Sequence, residues 1–146
     1  MILYTMGFTQ KNAKQFFDLI KKNEIEMLVD IRLNNKSQLA GFTKGEDLAY
    51  FLENLCGCKY EHCIDFAPTK EILDNYKKGN LLWTGYVEQF LPLMRKRRAV
   101  DVFERLFGKY DKVCLLCSEP TPEQCHRRLL AEMIAEGNAD ITIVHL

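Results

Sequence analysis

Ile2-Leu-Tyr-Thr-Met-Gly7, then Ala13, Phe16, Phe17 and Ile20 at helical spacing, then Met27-Leu-Val-Asp-Ile-Arg32 decide how this chain folds. The two flanking runs are short and nearly continuous in apolar character, the pattern of strands buried on both faces of a parallel sheet. The apolar residues between them recur every three to four positions, as one face of a helix does, and Thr9 is the expected N-cap. A strand, a helix of about a dozen residues and a second strand make a βαβ unit, whose crossover is right-handed.

Outward from this unit, Lys112-Val-Cys-Leu-Leu-Cys117 and Ile141-Thr-Ile-Val-His-Leu146 read as two more core strands, and Lys59 to Phe66 as a further short one. A polar loop, Leu33 to Gly41, follows the second strand. Then comes a helical stripe of Leu48, Phe51, Leu52 and Leu55 closed by Cys56-Gly57, where glycine takes a left-handed C-cap. Further helices are expected from Pro68 to Lys78, from Leu81 to Arg98 with Pro92 splitting or kinking it, and from Val100 to Phe107. The expectation is a single α/β domain over residues 1–146: a three-layer, Rossmann-like, mainly parallel sheet of four or five strands. A helical insertion precedes its third core strand.

Of the 146 residues, 47% are hydrophobic and 27% charged, the balance of an ordinary globular domain. Twenty basic and twenty acidic side chains cancel, so no global field draws the chain to nucleic acid or an anionic membrane. Arg95-Lys-Arg-Arg98 is a local basic cluster, read either as a solvated helix face or as a phosphate-binding strip. No run approaches the ~18 consecutive apolar residues of a membrane span. The first residues lack the layout of an export signal, and six cysteines without one point to reduced thiols in a cytoplasmic protein.

In an open α/β sheet, ligands bind where strands end and helices begin. Thr5 and Gly7 end the first strand, Asp30 and Arg32 the second, Cys117 and Glu119 the third, so all six approach one sheet edge. Thr121 and Gln124 match a capping box with Pro122 at the first helical position. That places Cys125, His126 and Arg127 in or just beyond the first turn. A helix start favours an anion and lowers a thiol pKa.

From these groups, Asp30, Glu119, Cys125 and His126 are the candidate catalytic residues, and Thr5, Gly7, Arg32, Cys117 and Arg127 candidate ligand-binding ones. Arg32 and Arg127 together would hold an anion such as phosphate. Against this stands the reading of Asp30, Arg32, Glu119 and Arg127 as a structural ion network. Cys114 and Cys117 point to opposite faces of one strand, so a zinc knuckle there is disfavoured and no metal is assigned. Adjacent Cys125 and His126 diverge by about 100° on a helix, so His126 is expected to act on a ligand or pin the loop rather than activate Cys125. His145 is expected to be a satisfied core histidine.

Thr5-Met-Gly-Phe-Thr9, Leu28-Val-Asp-Ile-Arg32 with Ser37, Ala67-Pro-Thr-Lys-Glu71, Trp83 followed by Tyr86, and Leu115-Leu-Cys-Ser-Glu119 with Cys125-His-Arg127 resemble the domain of unknown function 488 family. The resemblance runs in order over nearly the entire chain and adds Ser37 to the candidate ligand-binding set. It implies an α/β fold and names no reaction. The family commonly begins Thr-Ile-Gly-His-Ser; here Phe8 and Thr9 replace the last two, removing any polar role of that histidine.

The leading expectation is a small enzyme, or enzyme-like protein, acting on a phosphorylated or nucleotide-type ligand. Its rivals are a non-catalytic nucleotide or nucleic-acid binder using Arg95–Arg98 with Trp83 or Tyr86 stacked on bases, and a thiol-redox module of Cys117 and Cys125. The expected partner is an anionic small molecule or a nucleic acid, without a membrane; the residues identify neither a cofactor nor an oligomeric state.

Overall fold

The computed structural model describes residues 1–36 and 41–146. Five strands form one sheet: β1 (Ile2–Gly7), β2 (Met27–Asp30), β3 (Lys59–His62), β4 (Lys112–Cys117) and β5 (Thr142–His145). Their order is β3-β2-β4-β1-β5, and every neighbouring pair is parallel. The register sets Gly7 beside Cys117 and Asp30 beside Leu116, so the carboxyl ends of the three central strands share one edge.

The helices are α1 (Ala13–Lys22), α2 (Gly45–Phe51), α3 (Lys70–Lys77), α4 (Trp83–Lys96), α5 (Ala99–Phe107) and α6 (His126–Glu136). Alternation along the strands divides the core between the two faces. Tyr4, Met6, Leu28, Cys114 and Leu116 pack on Phe16 and Ile20 of α1, Leu48 of α2 and Leu52 just after it. Leu3, Val29, Val113, Leu115 and Cys117 pack under α3 to α6, against Ile72, Phe90, Phe103 and Leu130. Each fully buried aliphatic side chain here contributes roughly 1.5–3 kcal/mol. The fold is the expected three-layer α/β arrangement, and no helix among the described residues is long and apolar enough to cross a membrane.

Several local expectations change. Asn12, not Thr9, caps α1: its side chain accepts from Gln15 N–H at 2.8 Å and its own N–H donates to Gln15 Oε1 at 2.9 Å. Thr9 is drawn off to the Ser118 carbonyl. After α2 the backbone continues as a π-helical turn, Leu52–Cys56, which carries Leu55 round to 51% exposure. Gly57 then takes the expected left-handed C-cap, φ 62°. Helix α4 runs through Pro92 as one element. Strand β5 is a half-exposed edge, so His145 is an exposed residue bonded to Thr5 instead of a core histidine.

The most consequential change is at α6, which starts at His126 rather than at Pro122. Cys125 is its N-cap residue and makes no side-chain cap bond. Gln124, expected in a capping box, instead accepts from the Tyr76 hydroxyl at 3.2 Å.

Candidate functional site

Asp30 and Arg32 end β2 as a closed pair. The Asp30 carboxylate accepts from Arg32 Nε at 2.8 Å, Arg32 Nη2 at 2.7 Å, the Arg32 backbone N–H at 3.2 Å and the Tyr60 hydroxyl at 2.6 Å. Arg32 Nη2 also donates to the Thr43 carbonyl at 2.6 Å, and the guanidinium lies 5.2 Å from the Phe8 ring centre. Phe8, where the resembled pattern has histidine, thus serves as a platform for Arg32. Burial pushes Arg32 toward the neutral form, and its bonds and charge attraction to Asp30 outweigh this and raise it. Both residues are buried, so the carboxylate is occupied as an anchor and is poorly placed to carry a proton to a ligand.

Cys117, at the end of β4, meets the start of α6. Cys125 donates its S–H to Cys117 Sγ at 3.0 Å, and His126 Nδ1 lies 3.6 Å from the same sulfur. His126 Nε2 stands 2.8 Å from the Ile31 carbonyl oxygen, which can only accept, so Nε2 carries a hydrogen. The Nδ1–Cys117 contact therefore holds one shared proton, as thiol with imidazole or as thiolate with imidazolium. The Cys125 hydrogen bond, then the His126 charge and hydrogen bond, hold Cys117 well below the ordinary thiol value of 9.0 against the opposing effect of burial. Burial alone would lower His126, but Cys117 raises it above 6.5.

Of the six cysteines only Cys117 moves this way. Cys125 is raised, first because its proton is bonded to Cys117 and then by burial. Burial raises Cys56 and Cys114, pushes Cys58 up to about 12 and Cys63 up to about 11. Cys125, a candidate catalytic residue from its place at a helix start, donates its S–H to Cys117 in the folded chain. His126 pins the loop as expected, and it also faces a thiol, though a different one. No pattern in sequence pairs residues 117 and 126, because the turn between them is irregular and only its closure brings them together.

The sulfurs of Cys117 and Cys125 and Nδ1 of His126 lie within 4.8 Å of one another, a donor set that suits a soft cation. At 3.0 Å, however, the sulfurs stand closer than the roughly 3.8 Å that two thiolates keep on a tetrahedral ion with bonds of about 2.3 Å. The spacing fits a hydrogen-bonded ion pair better than a zinc centre.

Arg127 points to the other flank. It is fully buried, with Nε donating to Thr5 Oγ1 at 3.3 Å, Nη1 to the Glu119 carbonyl, and Nη2 without a partner among the described residues. Thr5 Oγ1 in turn meets His145 Nδ1 at 2.6 Å. Gly7 is required here, since a Cβ would overlap the Glu119 carbonyl and stand 2.7 Å from Arg127 Nη1. Arg127 keeps this corner electropositive: burial first, and then its charge, lower both Lys11 and His145. Arg127 and Arg32 do not converge on one anion, because Asp30 occupies Arg32 and Arg127 lies under Thr5 and Gly7.

A cleft of about 250 Å³ opens over the thiols. Cys117, Cys125 and His126 form part of its lining, with Tyr76, Trp83 and Tyr86 on one side and Arg32, Asn34, Lys77 and Glu119 among its polar residues. The aromatics make a ladder: Trp83 stacks on Tyr86 at 5.1 Å, Tyr86 on Phe90 at 5.8 Å, and Phe90 meets His126 edge-on at 5.5 Å. Glu119 is an exposed residue of the cleft lining, whereas Thr5, Gly7 and Arg127 are not among the lining residues. Ser37 lies outside the described residues. Tyr76, Lys77 and Asn34 had no motif to mark them, and Gln124 was marked only as part of a capping box.

The basic cluster belongs elsewhere. Arg97 donates to the Asp65 and Ala67 carbonyls at 3.0 and 2.8 Å, and Arg98 pairs with Asp101 at 2.8 Å. Roughly 18 Å of helix separates Arg95 from Trp83 at 1.5 Å per residue, so the cluster and the aromatic ladder do not form one strip.

No curated protein and no solved structure matches the chain. The family model described as Domain of unknown function DUF488 matches residues 12–134, which covers α1 through most of α6 and with them the thiol pair, the histidine and the aromatic wall; the chain belongs to that family.

Proposed function

We propose that this protein is a small thiol-dependent enzyme acting on a nucleotide-type ligand, with Cys117 as its nucleophile. The observation that carries the reading is the 3.6 Å contact between Cys117 Sγ and His126 Nδ1 at the edge of an aromatic cleft. His126 Nε2 is held by Ile31, so Nδ1 alone exchanges the proton with the thiol or with a leaving group. The Glu119 backbone amide and the start of α6 both favour charge on that sulfur.

The ligand class follows from the walls. Tyr76 and Trp83 are the half-buried rings of the lining that can meet a planar base, worth about 1–3 kcal/mol per stacked base, while Tyr86 is sandwiched between Trp83 and Phe90. Arg32, held by Asp30, and Lys77 are the cations lining the same cleft, and Lys77 is the exposed one of the two. Glu119 is the exposed carboxylate within reach of a bound ligand, and Asp30 acts through Arg32 by holding it in place.

Trp83 is the single tryptophan of the chain, so its fluorescence reports the cleft directly. Ribonucleoside monophosphates are expected to quench it saturably, and Tyr76→Ala or Lys77→Ala to weaken binding by about ten-fold each. Conversion of the bound compound is expected to disappear in Cys117→Ser. Absence of quenching by every base, or a Cys117 unreactive to iodoacetamide at neutral pH, overturns the reading.

A further inference from the structure

We infer that Cys117 and Cys125 form a peroxide-driven, reversible disulfide that switches this site off, with Cys117 as the thiol oxidised first and Cys125 as the resolving thiol. The inference rests on the reading of Cys117 as the reactive thiol and adds a second chemistry to it.

The two sulfurs are 3.0 Å apart with the Cys125 S–H directed at Cys117. Closing a disulfide of about 2.05 Å asks them to approach by only about 1 Å. They sit at the two ends of an irregular turn, the last residue of β4 and the N-cap of α6, so neither lies inside an element that must break. The other thiols with a bonded partner donate to backbone carbonyls: Cys56 to Phe17, Cys58 to Lys59 and Cys114 to Leu115. Cys114 is also excluded by the sheet, since it packs on the opposite face from Cys117. Both Cys117 and Cys125 line the cleft, so an oxidant as small as hydrogen peroxide reaches them.

The chemistry closes on the residues present and one hydroperoxide. The Cys117 thiolate attacks one peroxide oxygen, the S–O bond forms, the O–O bond breaks, and the departing hydroxide takes the proton from His126 to leave as water. Cys117 is then a sulfenic acid, oxidised by two electrons. The Cys125 sulfur attacks it; the S–S bond forms, the S–O bond breaks, and the Cys125 proton leaves with the hydroxyl as a second water. The nucleophile is now capped, and His126 has lost the anion it faced. A dithiol reductant reverses the bond by exchange.

Trypsin releases Val113–Arg127 as one peptide carrying Cys114, Cys117 and Cys125. After peroxide treatment, denaturation and alkylation, it is expected to take up one alkyl group, at Cys114, in place of three, and to regain all three after dithiothreitol. Cys125→Ser, which keeps a donor to Cys117, is expected to stop at a Cys117 sulfenic acid captured by dimedone. Cys117→Ser is expected to lose the oxidation. Three alkyl groups after peroxide, with Cys117 still reactive to iodoacetamide and ligand binding intact, overturn the switch and leave the proposed function standing. A Cys117 inert to both reagents overturns both.

Discussion

His126 Nε2 bonds the Ile31 carbonyl at 2.8 Å, tying the first residue of α6 to the segment that leaves β2, and it is this tie that turns Nδ1 toward Cys117. Without it the ring is free to present either nitrogen. With it, one tautomer and one proton position serve the thiol.

The pH dependence of Cys117 follows. The titratable groups facing it are Cys125 and His126 at the start of α6 and Tyr86 of α4, with Arg32 lining the same cleft. Its lowered value means that iodoacetamide reactivity is expected well below pH 9.0, lost as the pH falls through the folded value. Its stabilising effect is complete above 9.0 and lost over that same fall; that of His126 is complete below 6.5 and lost as the pH rises through its raised folded value. In His126→Gln the alkylation inflection is expected to move up toward 9.0; an unmoved inflection removes His126 from the pair.

Arg32→Met leaves Asp30 as a buried carboxylate with one neutral donor, Tyr60, among its side-chain partners. A loss of roughly 3–5 kcal/mol in urea unfolding is expected. Asp30→Asn with Arg32→Met together is expected to lose less than either change alone predicts by addition.

Gly7→Ala forces the Glu119 carbonyl away from β1. Overpacking of this kind costs about 1–3 kcal/mol. Because the Glu119 backbone helps to hold the Cys117 thiol low, the alkylation inflection is expected to rise as well, whereas a purely local clash moves only the melting temperature.

Zinc and chelators discriminate the ion pair from a metal centre. With the sulfurs at 3.0 Å, neither micromolar zinc nor EDTA is expected to change the rate at which Cys117 is alkylated. Strong protection by zinc at equal concentration to protein assigns the trio to a metal.

Tyr76 reaches across from α3 to Gln124 in the turn before α6, bordering the cleft. Such a bond contributes about 0.5–1.5 kcal/mol, so Tyr76→Phe is expected to speed Cys117 alkylation by about two- to ten-fold through easier opening. The pH inflection is expected to stay where it is.

The sheet was readable from the chain because a buried parallel strand needs a continuous apolar run and a crossover helix needs a 3.6-residue stripe. Ile2–Gly7, Met27–Asp30 and Lys112–Cys117 meet these conditions by composition alone. The convergence of Thr5, Gly7, Asp30, Arg32, Cys117 and Glu119 on one sheet edge followed from the same periodicity.

What each residue does there was decided by tertiary contacts. Local signals favoured Thr9 and Thr121 as caps, but neither position starts a helix, because the turn after β4 spends its bonds on β1, α3 and the thiols. Sequence alone determined the fold class, the sheet edge that carries the polar groups and the presence of a thiol-histidine motif at a helix start. Only the folded chain closed Asp30 onto Arg32, hid Arg127 beneath Gly7 and set Cys117, rather than Cys125, against the imidazole. The physical reason is that strand and helix periodicities are local, whereas a shared proton depends on distances that the turn over residues 118–124 and the Ile31 carbonyl set together.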